Sequence, residues 1–180
     1  MLVVLRVIGT FNAATWLGSA LFFTFGIAPA IFSPAMREVF APPNAAMGDY
    51  YLGIIAQQLI QRYFAVNLIC GIIAFAHFFA EMIYSGRPFH RFTFGLIVLI
   101  LGLGLVSQKI FAPKIKEVHQ IKYRGATEEG RAAAAKQLSR LHAVSATGNL
   151  ISLLGLIIYT WRATNPSDQK RFVSTHKFRG

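Results

Sequence analysis

Charged residues divide this chain into four long apolar windows. None of the windows contains Asp, Glu, Lys or Arg; they are Val7–Met36, Tyr63–Ala80, Phe92–Gln108 and Leu141–Trp161. About 17–25 helical residues cross a hydrocarbon core that is roughly 30 Å thick. Because lipid offers the backbone no hydrogen-bond partner, each window must satisfy its own N–H and C=O groups, as a helix does. The pattern predicts an all-α integral membrane protein, a bundle of four transmembrane helices at about 7–33, 62–84, 92–112 and 141–162.

The link between the third and fourth windows has a helical pattern of its own. Two helix-forming arms, 114–123 and 128–140, flank a turn at 124–127. Thr127 is suited to cap the second arm, and the two acidic residues after it favour a helix N-terminus. An apolar stripe at helical spacing marks the first arm, formed by Phe111, Ile115 and Val118. We expect a protruding helical hairpin over about 113–140, with its stripe on the partner helix rather than on headgroups or another protein.

The other two links differ from this one and from each other. The second-to-third link, Ser85-Gly86-Arg87-Pro88, predicts a tight turn because it contains Gly and Pro. The first-to-second link is rich in helix breakers: Pro34, Pro42, Pro43 and Asn44. After them we expect a helix that is capped by Asp49 and runs directly into the second crossing.

Composition agrees with a membrane protein. The chain is 54% hydrophobic and only 14% charged, and its mean hydropathy is +0.49. The formal charge of +11 comes from Lys and Arg that lie between and beyond the apolar windows. The expected anionic partner is therefore the lipid headgroup layer, not nucleic acid. The single cysteine, Cys70, lies within an apolar window, which indicates packing rather than a disulfide or a metal motif.

Loop charges give little information on orientation. The 18 Lys and Arg divide into eight on the side of the termini and ten on the opposite side. We expect both termini in the cytoplasm, because the short second-to-third turn and the basic tail hold their charges close to the membrane. The location expected is a bacterial inner membrane. We treat 1–165 as one transmembrane domain and 166–180 as a basic C-terminal tail.

Polar side chains inside a bilayer are costly, which makes them candidates for function. On the second helix Asn67, His77 and Glu81 share one face, together with Gly71 and Ala74. His77 and Glu81 are one helical turn apart, so they are a possible metal or proton-relay pair. The alternative is structural: Glu81 pairs near the interface, and His77 bonds to a neighbouring helix.

The first and fourth helices carry the remaining candidates. On the fourth helix His142, Ser145 and Asn149 lie on one face with Ser152, and Gly148 and Gly155 lie beside it. Close helix packing explains the small residues but explains His142 and Asn149 less well. On the first helix we expect Asn12 to form an interhelical hydrogen bond.

The predicted depths of His77 and His142 in the membrane exclude a haem held between them. His77 lies about 14 residues below the start of the second helix, or roughly 21 Å at 1.5 Å per residue, whereas His142 lies at the opposite membrane surface. We expect His119 to lie too far out in the hairpin to meet His142. A site formed by His77, Glu81 and His90 stays open as an alternative. The common hydrolase, nucleotide-binding and metalloprotease motifs are absent, so we expect no enzymatic activity and no cofactor.

Several short stretches resemble bacterial relatives of eukaryotic transmembrane protein 205: Trp16–Phe23, Ala28–Phe32, Leu141–Ser145 and Asn149. Those relatives are four-helix membrane proteins with a domain of unknown function, so the resemblance implies no catalytic residues. The eukaryotic member is associated with platinum-drug tolerance, which implies metal handling or trafficking. The pattern LHxxSxxxN carries over as His142, Ser145 and Asn149.

Three classes of function follow from these patterns. The leading hypothesis is a small polytopic membrane protein with a binding, assembly or accessory role, in contact with lipids and with partner membrane proteins or a second copy. The alternative is a metal-handling or small-solute transport protein that uses the polar intramembrane residues. The third is a haem- or quinone-linked oxidoreductase.

Overall fold

The computed structural model describes residues 2–40, 45–85 and 89–165. In chain order its elements are α1 (Leu2–Leu21), a π-helical turn π1 (Phe22–Ile27), α2 (Ala28–Ile31), α3 (Pro34–Phe40), α4 (Ala45–Ser85), α5 (Arg91–Val106), a second π-helical turn π2 (Ser107–Phe111), α6 (Ala112–Arg124) and α7 (Glu128–Thr164). The described residues contain no strand.

Four helical units are long and apolar enough to cross a membrane, as the charge-free windows predicted. The first is α1 with π1 and α2, the second is α4, the third is α5 with π2 and α6, and the fourth is α7. They are called here the first to fourth membrane helices. The prediction of an all-α, four-helix integral membrane protein is confirmed.

Each membrane helix packs on its neighbours around the bundle. The first contacts the second and the fourth, and the third also contacts these two. Trp16, Ile97 and Leu156 are fully buried where the helices meet, and Trp16 makes an edge contact with Tyr159 at 5.9 Å between ring centroids. Because lipid is as apolar as these side chains, close van der Waals packing rather than the hydrophobic effect holds this core together.

The second and fourth helices begin far before the limits that the charges indicated. α4 has 41 residues, about 61 Å at 1.5 Å per residue, so it extends well beyond a core of roughly 30 Å. The predicted N-cap at Asp49 is wrong, because α4 begins at Ala45. Asp49 instead lies within the helix and faces Arg37 of α3, with 3.8 Å between its carboxylate and the guanidinium.

The predicted helical hairpin is present as α6 packed on the first half of α7. Thr127 caps α7 as expected, since its hydroxyl accepts a hydrogen bond from the Gly130 N–H at 3.2 Å. The apolar stripe of α6 packs on the partner helix, against Ala134 and Leu138. These contacts form a second core outside the main bundle. We call α6 and the first half of α7 the stem.

Three predicted features lie outside the described residues. They are most of the turn at 85–88, the breaker-rich positions 42–44, and the basic tail 166–180.

Candidate functional site

A cavity of about 630 Å³ lies between the four membrane helices, each of which contributes to its wall. It runs from Trp16 and Asn67 in the bundle to Arg37, Asp49 and Lys122 at the stem. Most of its wall is apolar, with a few polar side chains. Sites for small molecules commonly have volumes of about 300–1,000 Å³ and this mixture of surfaces.

Two glycines border the cavity, one on the third membrane helix and one on the fourth. A Cβ at Gly104 or at Gly148 would meet no atom within 4 Å, and both residues line the cavity. We expected Gly148 to serve close packing; that prediction is wrong, because Gly148 faces open volume. Gly155 does serve packing, since a Cβ there would lie 3.1 Å from Ile100 on the third helix.

Both π-helical turns face the cavity. π1 contributes Phe23 and Thr24, and π2 contributes Ser107, Gln108 and Phe111. A π turn adds a residue to an α-helix and so changes the direction of the side chains around it; such turns are frequent at functional sites. Two helices that line one cavity therefore both depart from regular α geometry beside it.

Asn149 joins three helices at the cavity wall. The Tyr63 hydroxyl of α4 donates to Asn149 Oδ1 at 3.2 Å. Asn149 Nδ2 donates to Thr24 Oγ1 of π1 at 2.8 Å. Phe23 stacks on the Tyr63 ring, with centroids 4.2 Å apart and the planes 6° from parallel. The amide thus fixes the positions of the first, second and fourth helices relative to one another.

Asn67 forms two further hydrogen bonds next to those of Asn149. Its Oδ1 accepts from Trp16 Nε1 at 2.7 Å, and its Nδ2 donates to the Tyr63 carbonyl at 3.0 Å. Because the indole nitrogen can only donate, the oxygen of the amide must face it. These five residues, Trp16, Thr24, Tyr63, Asn67 and Asn149, are called here the polar node.

The stem end of the cavity is built differently. His119 is buried and stacks on Tyr50 at 5.4 Å, with the ring planes 15° apart. The imidazole lies against the backbone of α4 at Gly53, where any side chain would collide with it. The Arg124 guanidinium lies 4.7 Å from the centre of the Tyr50 ring. Of these three side chains only His119 lines the cavity, together with Lys122 and Tyr123. Cationic and aromatic groups therefore lie at the outer end, and hydrogen-bonding amides and hydroxyls lie at the inner end.

Four of the predicted site residues line this cavity together: Asn67, His142, Ser145 and Asn149. His119 lines it as well. We expected His119 to lie too far out to meet His142; the structure places both on the wall of one cavity, and among the described residues no hydrogen bond or ring contact joins them. The long α4 and α7 bring the stem and the membrane part into one continuous wall.

The other predicted site residues lie elsewhere. Asn12 is buried and donates to the Cys70 carbonyl at 2.9 Å, which is the interhelical bond expected of it. His77 Nε2 donates to the Leu5 carbonyl at 2.7 Å, as its structural interpretation required. Glu81 is half-buried on α4 and does not line the cavity. Within the described ranges no group of three or more His, Cys, Asp and Glu is placed to hold a metal ion, so His77, Glu81 and His90 do not form one.

Sequence reasoning missed Trp16, Thr24 and Tyr63. A signal existed for two of them, because a buried indole N–H or phenol hydroxyl nearly always has a hydrogen-bond partner. Each aromatic residue should have been paired with an amide on a neighbouring helix. Thr24 gave no such signal, since its direction depends on the π turn.

Comparison with known protein families gives a match to part of the chain. A family model described as "Domain of unknown function (DUF4149)" matches residues 11–124. The matched range contains four of the five residues of the polar node; Asn149 lies beyond it. No curated protein and no solved structure matches the chain.

Proposed function

The chain belongs to the DUF4149 family, and on that premise we propose that it is a membrane-embedded binding protein that holds one elongated, largely apolar small molecule. The place of binding is the cavity between the four helices. The occupant lies along the bundle axis, with one end at the polar node and the other toward the stem.

The cavity itself is the observation that supports this proposal. A protein with a purely structural role gains from filling its interior, because membrane helices associate through close packing. Here about 630 Å³ stays open between the helices, and at Gly104 and Gly148 no side chain enters it. The hydrogen bonds of the polar node hold three helices in positions that keep this space available.

A cavity-filling substitution tests the proposal. Gly104→Leu places a side chain in the cavity without a clash at Cβ. Gly102→Leu is the matched control, since its Cβ also meets no atom within 4 Å but Gly102 does not line the cavity. Native mass spectrometry of protein purified in mild detergent should show a bound small molecule in the wild type and in Gly102→Leu, and a loss of it in Gly104→Leu. Equal occupancy in the two variants would contradict the proposal.

An assembly role is the second candidate. Gly18 and Gly95 are exposed, and a Cβ at either would meet no atom within 4 Å. Small residues on an outer face allow another membrane helix to approach closely. An accessory subunit or a homo-oligomer should then copurify with partners in fixed ratio, and a solitary monodisperse species would contradict it.

The kinship with transmembrane protein 205-like proteins is part of the same proposal. It is supported by the resemblance of the stretch Trp16–Phe23; two residues of this stretch, Trp16 and Phe23, line the cavity. A transport role is compatible with this cavity, because bound molecules could move between the membrane and the stem. Placement in a bacterial inner membrane with both termini in the cytoplasm completes the proposal, supported by four crossings and the basic tail.

A further inference from the structure

We propose that the molecule bound in the cavity carries a neutral carbonyl oxygen, as an ester does, on an apolar chain, and that the polar node binds this oxygen. The inference rests on the proposed function and names the class of its ligand. It is derived from the hydrogen-bonding capacity of the node.

Two members of the node, Asn149 and Thr24, have more donor protons than they use. Asn149 has two amide N–H groups, and among the described residues only Thr24 Oγ1 accepts from it. The Thr24 hydroxyl is an acceptor in that bond, and within the same part of the chain no acceptor for its own proton is found. One amide proton and one hydroxyl proton therefore remain at the cavity wall.

This surplus does not depend on how the amide is oriented. If Asn149 were turned over, its nitrogen would donate to Tyr63 and its oxygen would accept from Thr24. The hydroxyl proton of Tyr63 would then be left in place of that of Thr24. In both orientations every oxygen of the three groups has at least one bond, while two protons have none.

The surroundings make it costly for those two protons to have no acceptor. Thr24, Tyr63 and Asn149 all lie within the charge-free windows, where lipid supplies no acceptor. Unused donors in such a place are costly. A ligand oxygen that accepts from both groups removes that cost, and an apolar chain attached to it fits the rest of the wall.

Charge favours a neutral carbonyl over a carboxylate. The cations that line the cavity are Arg37 and Lys122, at the stem end. Arg37 faces Asp49, which along α4 is separated from Tyr63 by 14 residues, about 21 Å; Lys122 lies on α6, outside the charge-free windows. A carboxylate at the node would thus be buried without a counter-charge, which is unfavourable. An ester keeps the acceptor oxygen and has no charge.

Trp16 provides a local reporter. The chain has two tryptophans, and Trp161 is exposed on the outer surface. In a Trp161→Phe background Trp16 is the sole tryptophan, and bromine atoms in the cavity should quench it. The probes are methyl 9,10-dibromostearate and 9,10-dibromooctadecane, which share the brominated chain and differ in the ester.

The ester should quench saturably at about tenfold lower concentration than the alkane, as expected for two hydrogen bonds of ordinary strength. In Thr24→Val combined with Asn149→Leu, the affinity of the protein for the ester should fall to its affinity for the alkane. Thr147→Val is the control, because that hydroxyl bonds within its own helix and does not line the cavity. Because the same bonds also position the helices, the readout is the ratio of the ester affinity to the alkane affinity within each variant, which should fall from about ten in the wild type to about one in the double variant. A monodisperse gel-filtration peak shows that each variant is folded.

The outcomes separate the two proposals. Equal affinity for the two probes in the wild type overturns the ester assignment and leaves the binding function standing. Absence of saturable quenching by either probe overturns both. A phosphatidylcholine with the same brominated chains then identifies the source: quenching as strong as that by the methyl ester indicates a membrane lipid, and weaker quenching indicates a single-chain ester.

Discussion

The Tyr63 hydroxyl donates to the side-chain amide of Asn149 across 3.2 Å, although the two residues are 86 positions apart in the chain. The bond joins the second and fourth membrane helices beside an open cavity. The same amide also donates to Thr24 on the first helix. A single polar side chain thus links three helices beside the cavity.

The bond between Trp16 and Asn67 should contribute measurably to stability. Asn67→Leu leaves the buried indole N–H without its acceptor, which should lower the free energy of unfolding by about 1–3 kcal/mol. Trp16→Phe removes the donor instead. If the pair is coupled, the loss in the double variant is smaller than the sum of the two single losses. Thermal unfolding in detergent measures all three, and strict additivity would show that the bond contributes nothing.

Gly9 should not tolerate a side chain. A Cβ there would lie 2.5 Å from His77 Nε2 and Cε1, so Gly9→Ala must displace the imidazole from the Leu5 carbonyl. We expect a loss of about 1–3 kcal/mol, as for other overpacked sites. Gly18→Ala is the control, because open space surrounds that position. Its better helix propensity should leave stability unchanged or raise it by up to about 1 kcal/mol. Similar melting temperatures for the two variants would contradict the placement of His77.

The N-cap of α7 should matter for the stem. Thr127→Ala removes the oxygen that accepts from the Gly130 N–H and should cost about 1 kcal/mol. Thr127→Asn keeps a capping oxygen and should retain most of the stability. Hydrogen exchange over 128–135 reports the effect locally: exchange should become faster in the alanine variant alone. Equal exchange in the two variants would show that the cap is not used.

Labelling in intact cells tests the orientation. In a Cys70→Ala background, Glu129→Cys lies at the tip of the stem and Thr164→Cys lies at the end of the fourth helix. The proposed orientation predicts that a membrane-impermeant maleimide labels position 129 in intact cells, and position 164 only after permeabilisation. The reverse pattern would place the termini outside. The two sites should never be labelled from the same side, since a single helix separates them.

Local chemistry explains which features could be predicted from the sequence. Charge-free windows determine how many segments can enter lipid, so the four crossings were predictable. Thr127 and the stripe of α6 depend on residues close in sequence, and both predictions are confirmed. The start of α7 was predictable from its cap at Thr127, and that of α4 was placed four residues too late, at Asp49 rather than Ala45. The charge-free windows alone place both starts too late, because a helix outside the lipid tolerates Arg62 within α4 as easily as an apolar residue.

The cavity could be predicted only in part. Counting helical faces found Asn67 and Asn149, because regular periodicity places them on inward faces. It could not find Thr24, whose direction depends on the π turn. It also misjudged Gly148, because a glycine looks the same in sequence whether it faces a packed helix or open space. That distinction depends on which helices are neighbours and how far apart they lie.

Direct observation of the cavity is the strongest test of the binding function. The protein should be purified from its native membrane in mild detergent, without delipidation, and its structure determined by electron cryomicroscopy, with a fiducial binder fixed to the stem. We expect elongated density between Gly104 and Gly148, with one end within hydrogen-bond distance of Asn149. A bundle in which side chains close this space, with Tyr63 and Asn149 still bonded and no added density, would contradict the proposed function.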